Sequence, residues 1–233
     1  MKPYYQDDWA TIYHGDCREI LPQLGQVDLV LTDPPYGIGY ESGQQVKGVT
    51  PWSGQIANDK DTSVRDFILS HHEGAALVFG SRKATLPKGC RQVLIWNKGP
   101  ALGMGALDIP WKPSYEEIYV IGKGWTGTRD EGAVIYCPPV QSMAKNGRLH
   151  PNEKPINLLL ILLKKSPVGC ILDPCCGSGS TLIAAKNLNR KSIGIEIEEK
   201  YCEIAAKRLE QEVFNFEATD KKPEAEPESG NLF

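Results

Sequence analysis

Residues 170–197 read CILDPCCGSGSTLIAAKNLNRKSIGIEI. An apolar run ends at Asp173. A turn follows through Pro174, Cys175, Cys176, Gly177, Ser178 and Gly179, a helix opens at Ser180, and a second apolar run ends at Glu196. Glycines here let the chain turn sharply and let a ligand approach the backbone with no Cβ in the way. Glu196 follows Gly177 at the spacing of about 20 residues where an acidic residue, ending the next strand, accepts hydrogen bonds from ribose hydroxyls. The turn reads GxG and not GxGxxG, and its strand ends in a carboxylate. Asp173 would repel a pyrophosphate but suits a nucleoside bearing an ammonium group, and S-adenosylmethionine has one. The alternative for the GxG alone is a strand–helix turn that needs glycine for packing only. Cys175 and Cys176 read as small residues beneath the turn.

Outward from this unit, short apolar runs rich in β-branched residues predict strands at Ala10–Tyr13, Val27–Leu31, Ala75–Phe79, Gln92–Trp96, Glu117–Ile121, Cys170–Leu172 and Ser192–Ile195. Helices are expected over Lys154–Lys165, Ser180–Leu188 and Glu198–Glu212; the last carries Tyr201, Ile204, Ala205 and Leu209 on one face. Strands alternating with helices predict an α/β, doubly wound and mostly parallel sheet. Gly37–Lys60 and Lys123–Leu149 lack periodicity and read as long loops of the functional kind.

The run Val27–Leu31 leads into Thr32-Asp33-Pro34-Pro35-Tyr36-Gly37. Two prolines past a strand end remove two donors and fix the backbone. The Pro34 carbonyl then stands beside the Asp33 carboxylate, two acceptors for the two hydrogens of a planar amino group. Tyr36 offers a flat face on which a base can stack. An ordinary proline turn ending a strand is the other reading.

Composition narrows the field. The 233 residues are 41% hydrophobic and 24% charged, as expected of a folded body. No apolar run approaches the roughly 20 residues of a membrane span, and MKPYYQDDWA has no apolar signal core, so a soluble cytoplasmic protein without a membrane partner is expected. Seven scattered cysteines without a CxxC pair read as free thiols, and His14, His71 and His72 show no ligand spacing, so no metal is expected. The formal charge of −3 resides in residues 217–233, where Glu217, Asp220, Glu224, Glu226 and Glu228 face Lys221 and Lys222. That segment reads as a disordered acidic tail on a formally neutral single domain, 1–216.

DPPYG together with DPxxGSGST resembles the S-adenosylmethionine-dependent amino methyltransferases of DNA, in the permuted order of their β group, with the catalytic motif first. WATIYHGDC resembles the strand carrying their acidic adenosine contact, HPNEKP (150–155) the segment before the cofactor strand, and QVLIWNKGPALGMG and YEEIYVIGKG the later catalytic strands. The resemblance spans most of residues 8–210. It implies a Rossmann-like, seven-stranded methyltransferase sheet with a catalytic half (8–122), a short target-recognition loop (123–149) and a cofactor half (150–212). It further implies S-adenosyl-L-methionine as methyl donor, held by Asp16, Cys17, His150, Lys154, Asp173, Pro174, Gly177, Ser178, Gly179, Thr181 and Glu196. Catalysis would fall to Asp33, Pro34, Pro35 and Tyr36. A His-Pro turn capping a helix near Lys154 is the plain structural alternative for His150 and Lys154.

The partner implied is double-stranded DNA from which the target base flips out, because an enclosed base is unreachable. The loop holding Trp52 could close over that base or be an ordinary surface loop. Adenine N6 is favoured by Asp before the prolines; cytosine N4 presents the same two hydrogens and stays open. A protein or RNA amino methyltransferase fits less well, since those usually read Asn-Pro-Pro-Tyr in unpermuted order. The short 123–149 interval, with Lys123, Arg129, Lys145 and Arg148, predicts phosphate contacts and a short recognition site, which a homodimer would lengthen by symmetry.

Overall fold

The structure, a computed structural model, describes residues 1–37, 57–100, 108, 110–140 and 153–211. Among them nine strands form one sheet: β1 (Tyr5–Gln6), β2 (Ala10–His14), β3 (Leu29–Thr32), β4 (Ala75–Gly80), β5 (Cys90–Asn97), β6 (Tyr115–Ile121), β7 (Val134–Tyr136), β8 (Ile171–Asp173) and β9 (Ser192–Glu196). The helices are α1 (Cys17–Ile20), α2 (Ser63–Ser70), α3 (Ile156–Lys164), α4 (Ser180–Asn187) and α5 (Glu199–Glu210). The strand order is β1-β2-β9-β8-β3-β4-β6-β5-β7. β2, β9, β8, β3 and β4 are mutually parallel, and β6 runs antiparallel between β4 and β5. The expected seven strands are all present. Two short ones extend the edges: β1, antiparallel to β2, and β7, parallel to β5.

Period-two alternation explains the two layers of helix. Leu29 and Leu31 of β3, with Leu77 and Phe79 of β4, face Leu158, Leu159, Leu162 and Leu163 of α3 and Ala184 and Ala185 of α4. Val30, Ala76 and Val78 point the other way, onto Ile20, Val64 and Ile68. Ala205 and Leu209 of α5 close the β2 end against Ala10, Ile12 and Leu182. Strands buried on both faces read as continuous apolar runs, which is why β3 and β4 were legible in the sequence.

One expectation about loops needs correcting. The 123–149 interval is not structureless: β7 lies in it, with Ile135 buried between exposed Val134 and Tyr136, and pairs with Ile95, Trp96 and Asn97. Three residues are too short a run to show alternation against a Gly- and Pro-rich background. Of the 37–60 loop only Gly37 and 57–60 are described, and α2 follows at once, its Val64 and Ile68 facing the core. Gly37 has φ 72°, and a Cβ there would stand 2.4 Å from the Asp61 carbonyl carbon, so the glycine after DPPY is required by close backbone contact. The third helix begins at Ile156, two residues later than expected. Pro155 is extended, and a residue before proline is biased the same way, which leaves Lys154 outside the helix. Residues 217–233 lie outside the described residues.

Candidate active site

Register places four acidic residues along one edge of the sheet. His14 pairs with Glu196, Gly194 with Asp173, and Leu172 with Val30. Asp16 and Asp33 therefore lie just beyond the carboxyl ends of β2 and β3, beside the ends of β9 and β8 that carry Glu196 and Asp173. Neighbouring strands are about 4.8 Å apart, so the row spans roughly 14 Å. From β8 the strand order proceeds one way through β9 and β2 and the other way through β3 and β4. Ligands of open α/β sheets bind in the crevice at such a reversal.

On the β8–β9 side, Glu196 is 8% exposed. Its Oε2 accepts the Gly177 N–H at 2.9 Å and its Oε1 the Glu198 N–H at 2.8 Å. Burial pushes its carboxyl up, and these two donors oppose the rise. Gly179, at φ 82°, caps α4, and a Cβ there would lie 2.8 Å from that of Ala205. This contact lets the turn settle on α5. Pro174, Gly177, Ser178 and Thr181 are buried around the turn. The Arg208 guanidinium of α5 donates to the Ser178 carbonyl at 2.8 Å and to its Oγ at 3.1 Å.

Asp173 is 3% exposed and accepts from the Cys175 N–H at 3.1 Å. Burial pushes its carboxyl up to about 6. Among the described residues no cation forms an ion pair with it, and the Thr181 and Thr32 hydroxyls beside it oppose the rise. A buried carboxylate lacking a counter-charge, at the head of a glycine turn, fits the ammonium of an amino-acid moiety. Asp16 caps α1 through the Arg18 N–H and is paired with the Arg18 guanidinium, which holds its carboxyl low. Cys17 is buried in the first turn of α1, packed with Cys175.

On the β3 side, Pro34 is buried and Asp33 and Tyr36 are partly buried. The Tyr36 hydroxyl donates to Asp33 Oδ1 at 2.6 Å, and Lys154 Nζ donates to Asp33 Oδ2 at 2.6 Å. The structure sets the Lys154 ammonium on the DPPY carboxylate. It also lies 3.2 Å from Glu116 Oε2 and 4.8 Å from the Phe79 ring centroid. Glu116 in turn is paired with Lys98. Burial pushes the Asp33 carboxyl up, Lys154 opposes this, and Glu116 adds to it. Burial works against the charges of Glu116 and Lys154, but their ion pairs outweigh it, leaving Glu116 low and Lys154 high. Burial and the two carboxylates raise Tyr36 well above the phenol range, so it stays protonated.

Sequence reasoning missed Glu116, Lys98 and Arg208. Glu116 pairs with Trp96 across the antiparallel strands, so a β5–β6 register would have shown that Glu116 shares a face with a buried tryptophan. Arg208 also joins Glu153, at 3.0 Å, to α5. His150 lies outside the described residues. Among the described residues no group of His, Cys, Asp and Glu is placed to hold a metal, and no helix is long and apolar enough to cross a membrane.

A family model described as DNA methylase matches residues 90–207. The type II methyltransferase M2.DpnII of Streptococcus pneumoniae is 49% identical, over 91% of this chain and 93% of its own length. M.BglII of Bacillus subtilis is 39% identical, over 86% of this chain and 69% of its own. Among solved structures, the PvuII cytosine-N4-specific DNA methyltransferase has a TM-score of 0.69 at 15% identity, covering 90% of this chain and 89% of its own. The M1.HpyAVI complex with SAM has a TM-score of 0.60 at 23% identity, covering 86% of this chain and 100% of its own. At these identities both structures bear on fold alone.

Proposed function

The chain belongs to the DNA methylase family, whose members use S-adenosylmethionine, and from that premise we propose that it methylates the exocyclic N6 of an adenine flipped out of double-stranded DNA. The observation carrying this reading is the juxtaposition of two loops on neighbouring strands, the DPPY turn after β3 and the glycine turn after β8. The order along the chain, acceptor loop first, supports placement in the permuted β group.

S-adenosylmethionine supplies a sulfonium-bound methyl group, which already has a good leaving group. The residues that would hold it are Asp173 at the ammonium, Glu196 at the ribose, and Asp16 and Cys17 at the adenine. The acceptor is the harder partner, because an exocyclic amine conjugated to its ring is a poor nucleophile. Asp33 and the Pro34 carbonyl would take both amino hydrogens, aim the nitrogen at the methyl group and favour positive charge on it. Tyr36, fixed by its bond to Asp33, would stack on the flipped base. Asp33 supports adenine over cytosine as the acceptor.

DNA from cells expressing the protein, sequenced by a method that separates N6-methyladenine from N4-methylcytosine, tests this. N6-methyladenine at a defined motif is expected. N4-methylcytosine instead would overturn the choice of base and leave the amino transfer standing; no modified base at all would overturn both.

A further inference from the structure

We propose that Lys154 and Glu116 are positioning residues of the acceptor site: Lys154, bridged between the two carboxylates, aims Asp33 and balances its charge, and Glu116 keeps Lys154 in the bridging place. The proposal rests on the reading of Asp33 as the acceptor of the amino hydrogens.

Lys154 is 8% exposed, and few lysines are buried so far without a partner. Its Nζ meets Asp33 Oδ2 at 2.6 Å and Glu116 Oε2 at 3.2 Å, over the Phe79 ring. Its backbone is anchored on both sides, by extended Pro155 at the start of α3 and by Glu153, held 3.0 Å from Arg208. The ammonium therefore projects from a fixed base. Asp33 takes the Tyr36 hydroxyl on one oxygen and Lys154 on the other. Two bonds at opposite oxygens fix the carboxylate plane, and each oxygen keeps a lone pair for an incoming amino hydrogen.

Charge explains why a second carboxylate is needed. A lysine beside the acceptor would oppose the positive charge that grows on nitrogen as the carbon–nitrogen bond forms. Glu116 draws on the same ammonium, so the charge facing the nitrogen is divided between two carboxylates. Lys98 then balances Glu116 from its far side. The charged and titratable groups facing Asp33 are Tyr36 of its own loop, Lys154 before α3, Glu116 of β6 with Lys98 after β5, and Asp173 of β8.

The two residues should act on Asp33 with opposite sign. Removing the lysine charge makes Asp33 harder to ionise, so activity is lost sooner as pH falls. Removing the Glu116 charge makes it easier, so activity persists to lower pH. The measurement is the single-turnover rate of DNA methylation at about pH 6 divided by that at about pH 8, with cofactor affinity by calorimetry. In Lys154→Met the ratio should fall about tenfold or more, and in Glu116→Gln it should rise severalfold, tenfold being one unit of acidity. Lys154→Arg should restore most of the wild-type ratio, and cofactor affinity should stay within about threefold in each.

Ratios that do not move, or move the same way, in folded variants would overturn the proposal. So would a cofactor affinity lowered in Lys154→Met with the ratio unchanged, which would assign the lysine to the donor. If Lys154→Met does not fold, Glu116→Gln decides alone, and an unchanged ratio overturns the proposal. Asp33→Asn separates the two readings. A dead Asp33→Asn with unshifted ratios removes only the positioning role, whereas an active one removes the acceptor role of Asp33 itself.

Discussion

Asp173→Asn should make the protein more stable and a poorer binder of its cofactor. In the folded chain burial pushes the Asp173 carboxyl from 3.8 up to about 6. That rise of about two units, at about 1.4 kcal/mol each, means that the ionised side chain opposes folding by about 3 kcal/mol at neutral pH. The sign follows from proton counts. Between about pH 4 and about pH 6 the folded chain holds the proton and the unfolded chain has released it. Stability is therefore lost as pH rises through that window, and the deficit is constant above it. Asparagine has the same shape, keeps an oxygen for the Cys175 N–H, and carries no charge. The variant should gain up to about 3 kcal/mol at about pH 7.5, and the gain should vanish near pH 4. The ammonium of the cofactor loses its counter-charge, a charge-assisted bond of about 1.5–3 kcal/mol, so affinity should fall about 10- to 100-fold. Urea denaturation of both ligand-free proteins at the two pH values, with calorimetric titration of S-adenosylmethionine, measures each effect. A variant equally destabilised at both pH values, or one with undiminished affinity, would refute the view of Asp173 as a carboxylate kept for a cationic ligand.

Glu196→Ala removes the acceptor of the Gly177 and Glu198 N–H groups along with the candidate ribose contact. Calorimetry on the folded variant should show affinity weakened at least tenfold, from one or two charged bonds of about 1.5–3 kcal/mol each. Asp33→Ala should abolish turnover with cofactor affinity nearly intact; methylation within about tenfold of wild type would remove its catalytic assignment. The recognition site should be short, about two to five base pairs, because each bidentate base contact discriminates by about 1–3 kcal/mol and the 123–149 interval is too small for a reading domain of its own. A monomer methylating one fully specified motif of six or more base pairs would contradict this.

The strands and the carboxylates at their ends were legible because each sits in a local pattern: an apolar run, then an acid, then glycine or proline. Asp33 and Asp173 are of this kind, and Glu196 ends an apolar run at a set spacing past the glycine turn. Glu116 and Lys98 were illegible because what marks them is pairing across strands. In YEEIYV, Glu116 and Glu117 look alike, yet the pleat turns Glu116 toward Lys154 and Glu117 toward the Tyr119 hydroxyl on the other face. Lys154 stands out in its motif, but its contact with Asp33 was illegible, since Asp33 lies 121 residues earlier in the chain. The edge strands β1 and β7 escaped because two or three residues carry too little pattern to rise above turn-rich surroundings.

In the proposed transfer the acceptor loop follows β3 and the donor loop follows β8; they belong to segments far apart in the chain, and their meeting depends on β8 and β3 being sheet neighbours. Chain order is therefore free to vary, as the position of the acceptor loop ahead of the donor loop illustrates. Sheet pairing alone fixes strand spacing to about 4.8 Å but leaves loops beyond the strand ends unsupported. Residues 153 and 154 supply that support. Glu153 is held by Arg208, which also grips the Ser178 carbonyl of the donor turn, and Lys154 is held by Asp33 of the acceptor loop. Adjacent residues of one extended segment thus brace both loops from the same backbone. An in-line transfer tolerates little error, because a misplacement of about 1 Å can cost a hundredfold in rate. A segment that ties each loop through an ion pair is the element of this fold best placed to keep that error small.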